Sequence, residues 1–200
     1  MNITDVCNMA LAHIAKGRIA SIEEQTESAR QCKLFYEQTR KNLLREYAWG
    51  FAKRIDRLAE LSVESPYWKF VYAYPEKCVA VRKIFNSDNG TVIRAGKKEQ
   101  DEWDLYMATD NVLGIGCNIE KAWLEYTYDV DNADLFSSDF LEALTHMLAF
   151  NICLQLTGNS GLQQQQYQLA QAALNRAKYS TASEKKEKPD YPTRYFDGRA

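Results

Sequence analysis

Histidine is nearly missing from this sequence: His13 and His146 are its only two, and the 200 residues hold just four prolines, nine glycines and no Cys-x-x-Cys pair. Each scarcity closes a class. The five cysteines, Cys7, Cys32, Cys78, Cys117 and Cys153, are odd in number and far apart, which argues against a closed disulfide framework and against a thiolate zinc site. A reducing compartment is the expectation. So little Gly and Pro beside 46% hydrophobic and 26% charged residues excludes disordered, collagenous and low-complexity chains. No apolar run approaches the ~18 residues that span a bilayer, and Met1-Asn2-Ile3-Thr4-Asp5-Val6 has no basic region followed by an apolar stretch, so a soluble, unsecreted protein without a membrane partner is expected. Charge of neither sign dominates. Lys plus Arg number 25 against 27 Asp plus Glu, and a formal charge of −2 gives no global field to recruit nucleic acid or an anionic surface.

What is present reads as helix, long helix, β insert, buried helix, helix and tail. Residues 3–16 place Ile3, Val6, Cys7, Ala10, Leu11 and Ile14 at steps of three and four behind Thr4 or Asp5 as N-cap, with Gly17 as the stop. From about 26 to 47 the chain runs without Gly or Pro. Ala29, Cys32, Phe35, Tyr36, Leu43 and Leu44 form its apolar stripe, while Arg30, Lys33, Glu37, Arg40, Lys41 and Arg45 read as a solvated face. Trp49-Gly50-Phe51 follows as a helix end whose rings seal the core. The period then becomes two: Trp68 to Tyr74, Cys78 to Phe85, Thr91 to Arg94, Glu102 to Ala108, Asn111 to Cys117 and Lys121 to Tyr128 suggest an antiparallel meander of about five short strands. Ser137 or Ser138 caps a strongly apolar helix ending near Gly158, and a Gln- and Ala-rich helix covers about 161–182. The expected fold is α+β, mainly α. A bundle of about four helices (1–62 and 135–183) carries an inserted β domain (63–134) and an extended C-terminal arm (184–200).

Signatures of catalysis are weak. Neither histidine adjoins a nucleophile motif, and core or interface positions suit both better. Asp129-Val130-Asp131-Asn132-Ala133-Asp134 imitates a calcium loop and fails, with Ala133 at the fifth place, Asp134 where glycine is required and Phe140 where the bidentate Glu belongs. Gly114-Ile115-Gly116 lacks the rest of a dinucleotide fingerprint and reads as a tight strand turn, and Gly96-Lys97-Lys98 lacks Walker spacing. Carboxylates from Asp101, Glu102 and Asp104, or from the aspartates after Tyr128, could serve a glycoside hydrolase, which is the enzymatic alternative. No catalytic residue, metal ligand or cofactor site is otherwise expected.

The tail is the anomaly. Residues 184–199 hold five cations against four carboxylates, so they are no nucleic-acid arm, yet they carry Tyr191, Tyr195 and Phe196 between and beyond Pro189 and Pro192. With Arg194, these aromatics read as anchors that order on a partner or a neighbouring subunit.

Cys7-Asn8-Met9-Ala10-Leu11, Ile19-Ala20-Ser21-Ile22, Leu43-Leu44-Arg45-Glu46-Tyr47, Trp49-Gly50-Phe51-Ala52-Lys53-Arg54 with Leu58-Ala59, Tyr72-Ala73-Tyr74-Pro75, and Tyr126-Thr127-Tyr128 ahead of Phe136, Phe140 and Leu148-Ala149 stand in a telling order. In that order and spacing the chain resembles the head-to-tail adaptors of short-tailed bacteriophages, the tail tubular protein A family, over about residues 3–158. It departs from them in placing Ala15-Lys16 before Gly17 and Glu76 after Pro75. The resemblance implies a virion structural protein, made in the host cytoplasm, that forms a ring of about twelve copies. Such a ring sits below the portal protein, meets a tail nozzle protein on its far face and extends a channel through which DNA passes without specific binding. It also implies that the arm, with Tyr191, Arg194, Tyr195 and Phe196, binds the portal. The other readings are a tail-associated peptidoglycan hydrolase using an acidic cluster, and a bacterial helical interaction module unrelated to phage.

Overall fold

The computed structural model describes residues 1–88, 92–94 and 103–184. It is a mixed helix and strand protein, with four α-helices and seven strands among those residues: α1 (Ile3–His13), α2 (Glu27–Glu46), α3 (Ser138–Thr157) and α4 (Ser160–Glu184), with β1 (Lys53–Arg57), β2 (Phe70–Ala73), β3 (Cys78–Phe85), β4 (Val92–Arg94), β5 (Trp103–Thr109), β6 (Val112–Cys117) and β7 (Trp123–Tyr128) between α2 and α3.

Short polar side chains set the helix starts. Asn2, two residues ahead of the nearer expected cap Thr4, begins α1: its Oδ1 accepts from the Asp5 N–H at 2.9 Å, and Asp5 Oδ2 accepts from the Asn2 N–H at 2.9 Å, a reciprocal capping box. Thr26 caps α2, Ser137 caps α3 and Asn159 Oδ1 accepts from Leu162 N–H in the first turn of α4. The stop signal of α1 differs from the expected Gly17. Ile14 closes the helix and Ala15 takes the left-handed conformation at φ +54, so the reversal costs roughly 1 kcal/mol that glycine would have spared. Gly158 fits the rule: at φ +66 it ends α3 and gives its N–H to the Leu154 carbonyl at 3.0 Å.

α3 is the central helix and packs against α1, α2 and α4. Its Phe140, Leu144, Leu148 and Ile152 are fully buried among Leu11, Cys32, Tyr36, Leu44 and Leu174. By length and mean hydropathy α3 could cross a membrane, although Glu142, Thr145, His146 and Asn151 interrupt any purely apolar run; half of it is buried against the other helices. The rings of Trp49 and Phe51 close the bottom of this core, each edge-on to Phe140 with centroids 5.1 and 5.0 Å away, and Trp49 Nε1 donates to the Leu43 carbonyl at 2.8 Å.

The β region is no meander. Its strands form two antiparallel sheets of order β1-β7-β3-β4 and β2-β6-β5, whose inner side chains share a second core of Tyr72, Val81, Ile84, Ile115, Cys117, Leu124 and Tyr126. Only the β3–β4 and β5–β6 pairs are sequential hairpins. β1, within the stretch 1–62 assigned to the helical bundle, pairs along its length with β7. Four of its five residues are exposed, including Lys53, Arg54 and Arg57. Charges on an unpaired edge deter pairing with another strand, and the same charges hide the strand from a search for alternating apolar residues. Gly114 and Gly116, expected in a turn, lie inside β6. A Cβ on Gly116 would stand 2.2 Å from Trp68 Cδ1, so the glycine leaves a slot for the indole.

Candidate interaction site

Two arginines fasten the sheets to the helices. Arg40, expected on a wet helix face, is 1% exposed. Its Nη1 donates to Asp129 Oδ1 at 2.6 Å and to the Val130 carbonyl, and its Nη2 to Glu37 Oε2 at 2.7 Å. Burial pulls the guanidinium toward losing its proton, but the bonds to Glu37 and Asp129 outweigh it and hold the charge more firmly than usual. Arg82 of β3 donates from Nη2 to the carbonyls of Arg45 at 2.9 Å and Tyr47 at 2.7 Å, and from Nε to Thr127 Oγ1 at 2.8 Å. It thereby satisfies carbonyls that the end of α2 leaves open, where a cation also meets the negative end of the helix dipole.

These contacts change the reading of the acidic residues. Asp129 serves Arg40 and lies 3.3 Å from Lys41 Nζ; Asp131 lies 3.9 Å from Lys77 Nζ; Asp134 holds the N-terminal ammonium at 2.6 Å. Each aspartate therefore faces its own cation instead of converging on a sugar-sized cleft. Asp104 is exposed and its Oδ1 accepts the N–H of Leu105 at 2.8 Å, while Asp101 and Glu102 lie outside the described residues. Among the described residues no three His, Cys, Asp or Glu side chains gather as a metal nest. All five cysteines are free, and burial raises the Cys78 and Cys117 thiols above their ordinary value, which disfavours the reactive thiolate.

Exposed apolar side chains occur on both parts of the molecule. Leu105, Met107, Val112 and Leu113 crowd the β5–β6 hairpin, Met107 being 58% exposed. Leu154, Tyr167 and Leu169 stand out from α3 and α4. A shallow hollow of about 370 Å³ beside α1 is lined by Asp5, Asn8, Met9, Ala12 and Arg18, and another of about 270 Å³ between α2 and β3 by Lys41, Asn42, Arg45, Glu76 and Lys77 among others. The second also includes Cys78 and Asp129, but burial holds the Cys78 thiol in its unreactive form and Asp129 is engaged by Arg40 and Lys41. The geometry suits docking of surfaces.

The expected portal-binding residues Tyr191, Arg194, Tyr195 and Phe196 lie outside the described residues. The helix leading to them is firmly held: Lys178 Nζ meets Glu46 Oε1 of α2 at 2.8 Å, and Arg176 pairs with Glu142 of α3. Sequence reasoning also treated His13 and His146 singly, whereas the fold stacks them. Their separation by over a hundred residues left no local signal of the pairing. No family model matches the chain, and no curated protein matches it.

Proposed function

We propose that this protein is a virion structural component, a head-to-tail adaptor that assembles into a ring of about twelve copies joining a portal to a tail nozzle and extending the DNA channel. The observation that carries the reading is that exposed apolar side chains stand on both parts of the molecule, Leu105 and Met107 on β5 and Leu154, Tyr167 and Leu169 on α3 and α4. A cyclic ring needs two different complementary patches on each subunit, whereas an enzyme needs convergent groups in a cleft. The order and spacing of the motifs from Cys7 to Ala149 support the same reading, as does a net charge of −2, which lets DNA slide past without counterion-release binding. In this reading the bundle and the two-sheet insert form the body of the subunit. In the same reading Tyr191, Arg194, Tyr195 and Phe196, which follow α4 in the sequence, grip the portal.

Deleting residues 189–200 tests the arm. The shortened chain is expected to stay folded, with an unchanged urea midpoint, and to lose co-sedimentation with portal rings. Retained portal binding by the shortened chain contradicts the assignment.

A further inference from the structure

His13 closes α1 and His146 lies in the middle of α3, and their imidazoles stack with centroids 3.9 Å apart and planes inclined by 18°. The hydrogen bonds around them assign the protons. Gln166 of α4 donates from Nε2 to the His13 carbonyl at 3.1 Å, which turns its Oε1 toward His146 Nδ1, 2.8 Å away. An amide oxygen only accepts, so His146 carries its proton on Nδ1. Thr145 Oγ1 uses its one proton on the Glu142 carbonyl at 3.0 Å and therefore accepts from His13 Nε2 at 3.3 Å. These donor roles leave His13 Nδ1 and His146 Nε2 as the ring nitrogens without a partner in these bonds.

Counter-charge is scarce here. Residues 143–175, covering α3 beyond Glu142 and α4 up to Arg176, contain no Asp, Glu, Lys or Arg. On α1 the one acidic residue, Asp5, is in the first turn, at the far end from His13, and the loop after α1 adds the cations Lys16 and Arg18, then Glu23, paired with Lys33, and Glu24, which accepts the Ala20 N–H. Glu142 is the carboxylate that acts on His13, and its Oε2 already pairs with Arg176. Thr145 and Gln166 are 1% and 4% exposed, so water offers little relief. A first proton would sit on a stacked, mostly buried ring. A second would press two like charges together.

We infer that the His13–His146 stack is an acid-sensitive clasp, which fastens the end of α1 to α3 and α4 while His13 is neutral and releases it when His13 gains a proton. Desolvation, then the neighbouring His146, lower the His13 pKa below its ordinary 6.5, against the opposing pull of Glu142. The sign follows: the unfolded chain binds more protons than the folded one once the pH drops below the ordinary histidine value. The clasp is whole above about pH 6.5 and weakens as the pH falls toward the depressed folded value.

Imidazole Cε1–H resonances and backbone amide exchange of the full chain, followed from about pH 8 to 4.5, test the clasp. Expected are a His13 titration displaced below 6.5, and exchange at Leu11 to Ile14 that accelerates at least tenfold beyond the intrinsic pH effect while Leu148 stays protected. His13→Gln is expected to remove the acid-induced acceleration. Titration of His13 at or above 6.5 in the unaltered chain overturns the inference without recourse to any variant. So does an α1 exchange profile that His13→Gln leaves unchanged.

Discussion

Arg40 shows what one buried charge does for this molecule. Its guanidinium is out of water, and it joins α2 to the segment that leaves the last strand through Asp129 and the Val130 carbonyl. Removing it strands an acceptor and a carbonyl that were arranged around it. Arg40→Met is expected to cost about 3 kcal/mol by urea denaturation, and Asp129→Asn about 1 kcal/mol, because Asp129 remains 20% exposed and keeps Lys41 nearby. Equal, negligible costs for the two would contradict the joint as described. Gly116 makes a steric argument of the same size. An added Cβ meets the Trp68 ring at 2.2 Å, so Gly116→Ala is expected to lose about 1–3 kcal/mol and to red-shift tryptophan emission as the indole is expelled. Unaltered emission would show that the ring does not depend on the slot.

At the scale of elements, the helices were legible because caps and apolar spacing are local. Ser137, Gly158 and the unbroken stretch from 27 to 46 carry their own signals, and the strands with alternating large residues, such as β2 and β7, do as well. β1 was illegible for a physical reason. Lys53-Arg54-Ile55-Asp56-Arg57 is a strand because β7 offers it hydrogen bonds, and its residues face water. Arg40 misled in the same way, since the helix pattern shows its charge but not the distant Asp129 that permits its burial. The histidine stack depends on contacts between α1, α3 and α4 that no spacing reveals. The most connected element boundary is the aromatic floor, where Phe140 touches Trp49, Phe51 and Phe136. Phe140→Ala is expected to destabilise the chain by about 3–5 kcal/mol, read as a urea midpoint shift. A cost below about 1 kcal/mol would show that the rings close over the gap and that Phe140 is no keystone.

The whole molecule joins a helical part built on α3 to a two-sheet part, each with its own core, fastened by Arg40 and Arg82. Its exposed apolar residues lie on both parts, and Asp129, Asp131 and Asp134 are each engaged by cations instead of converging on one cleft, an arrangement suited to assembly by shape. The adaptor proposal stands or falls on assembly with a portal. Electron microscopy of the purified chain mixed with portal rings puts the question directly: the account predicts a ring of about twelve copies seated coaxially below the portal. Portal rings that remain bare, with the chain dispersed as single globules, would contradict it.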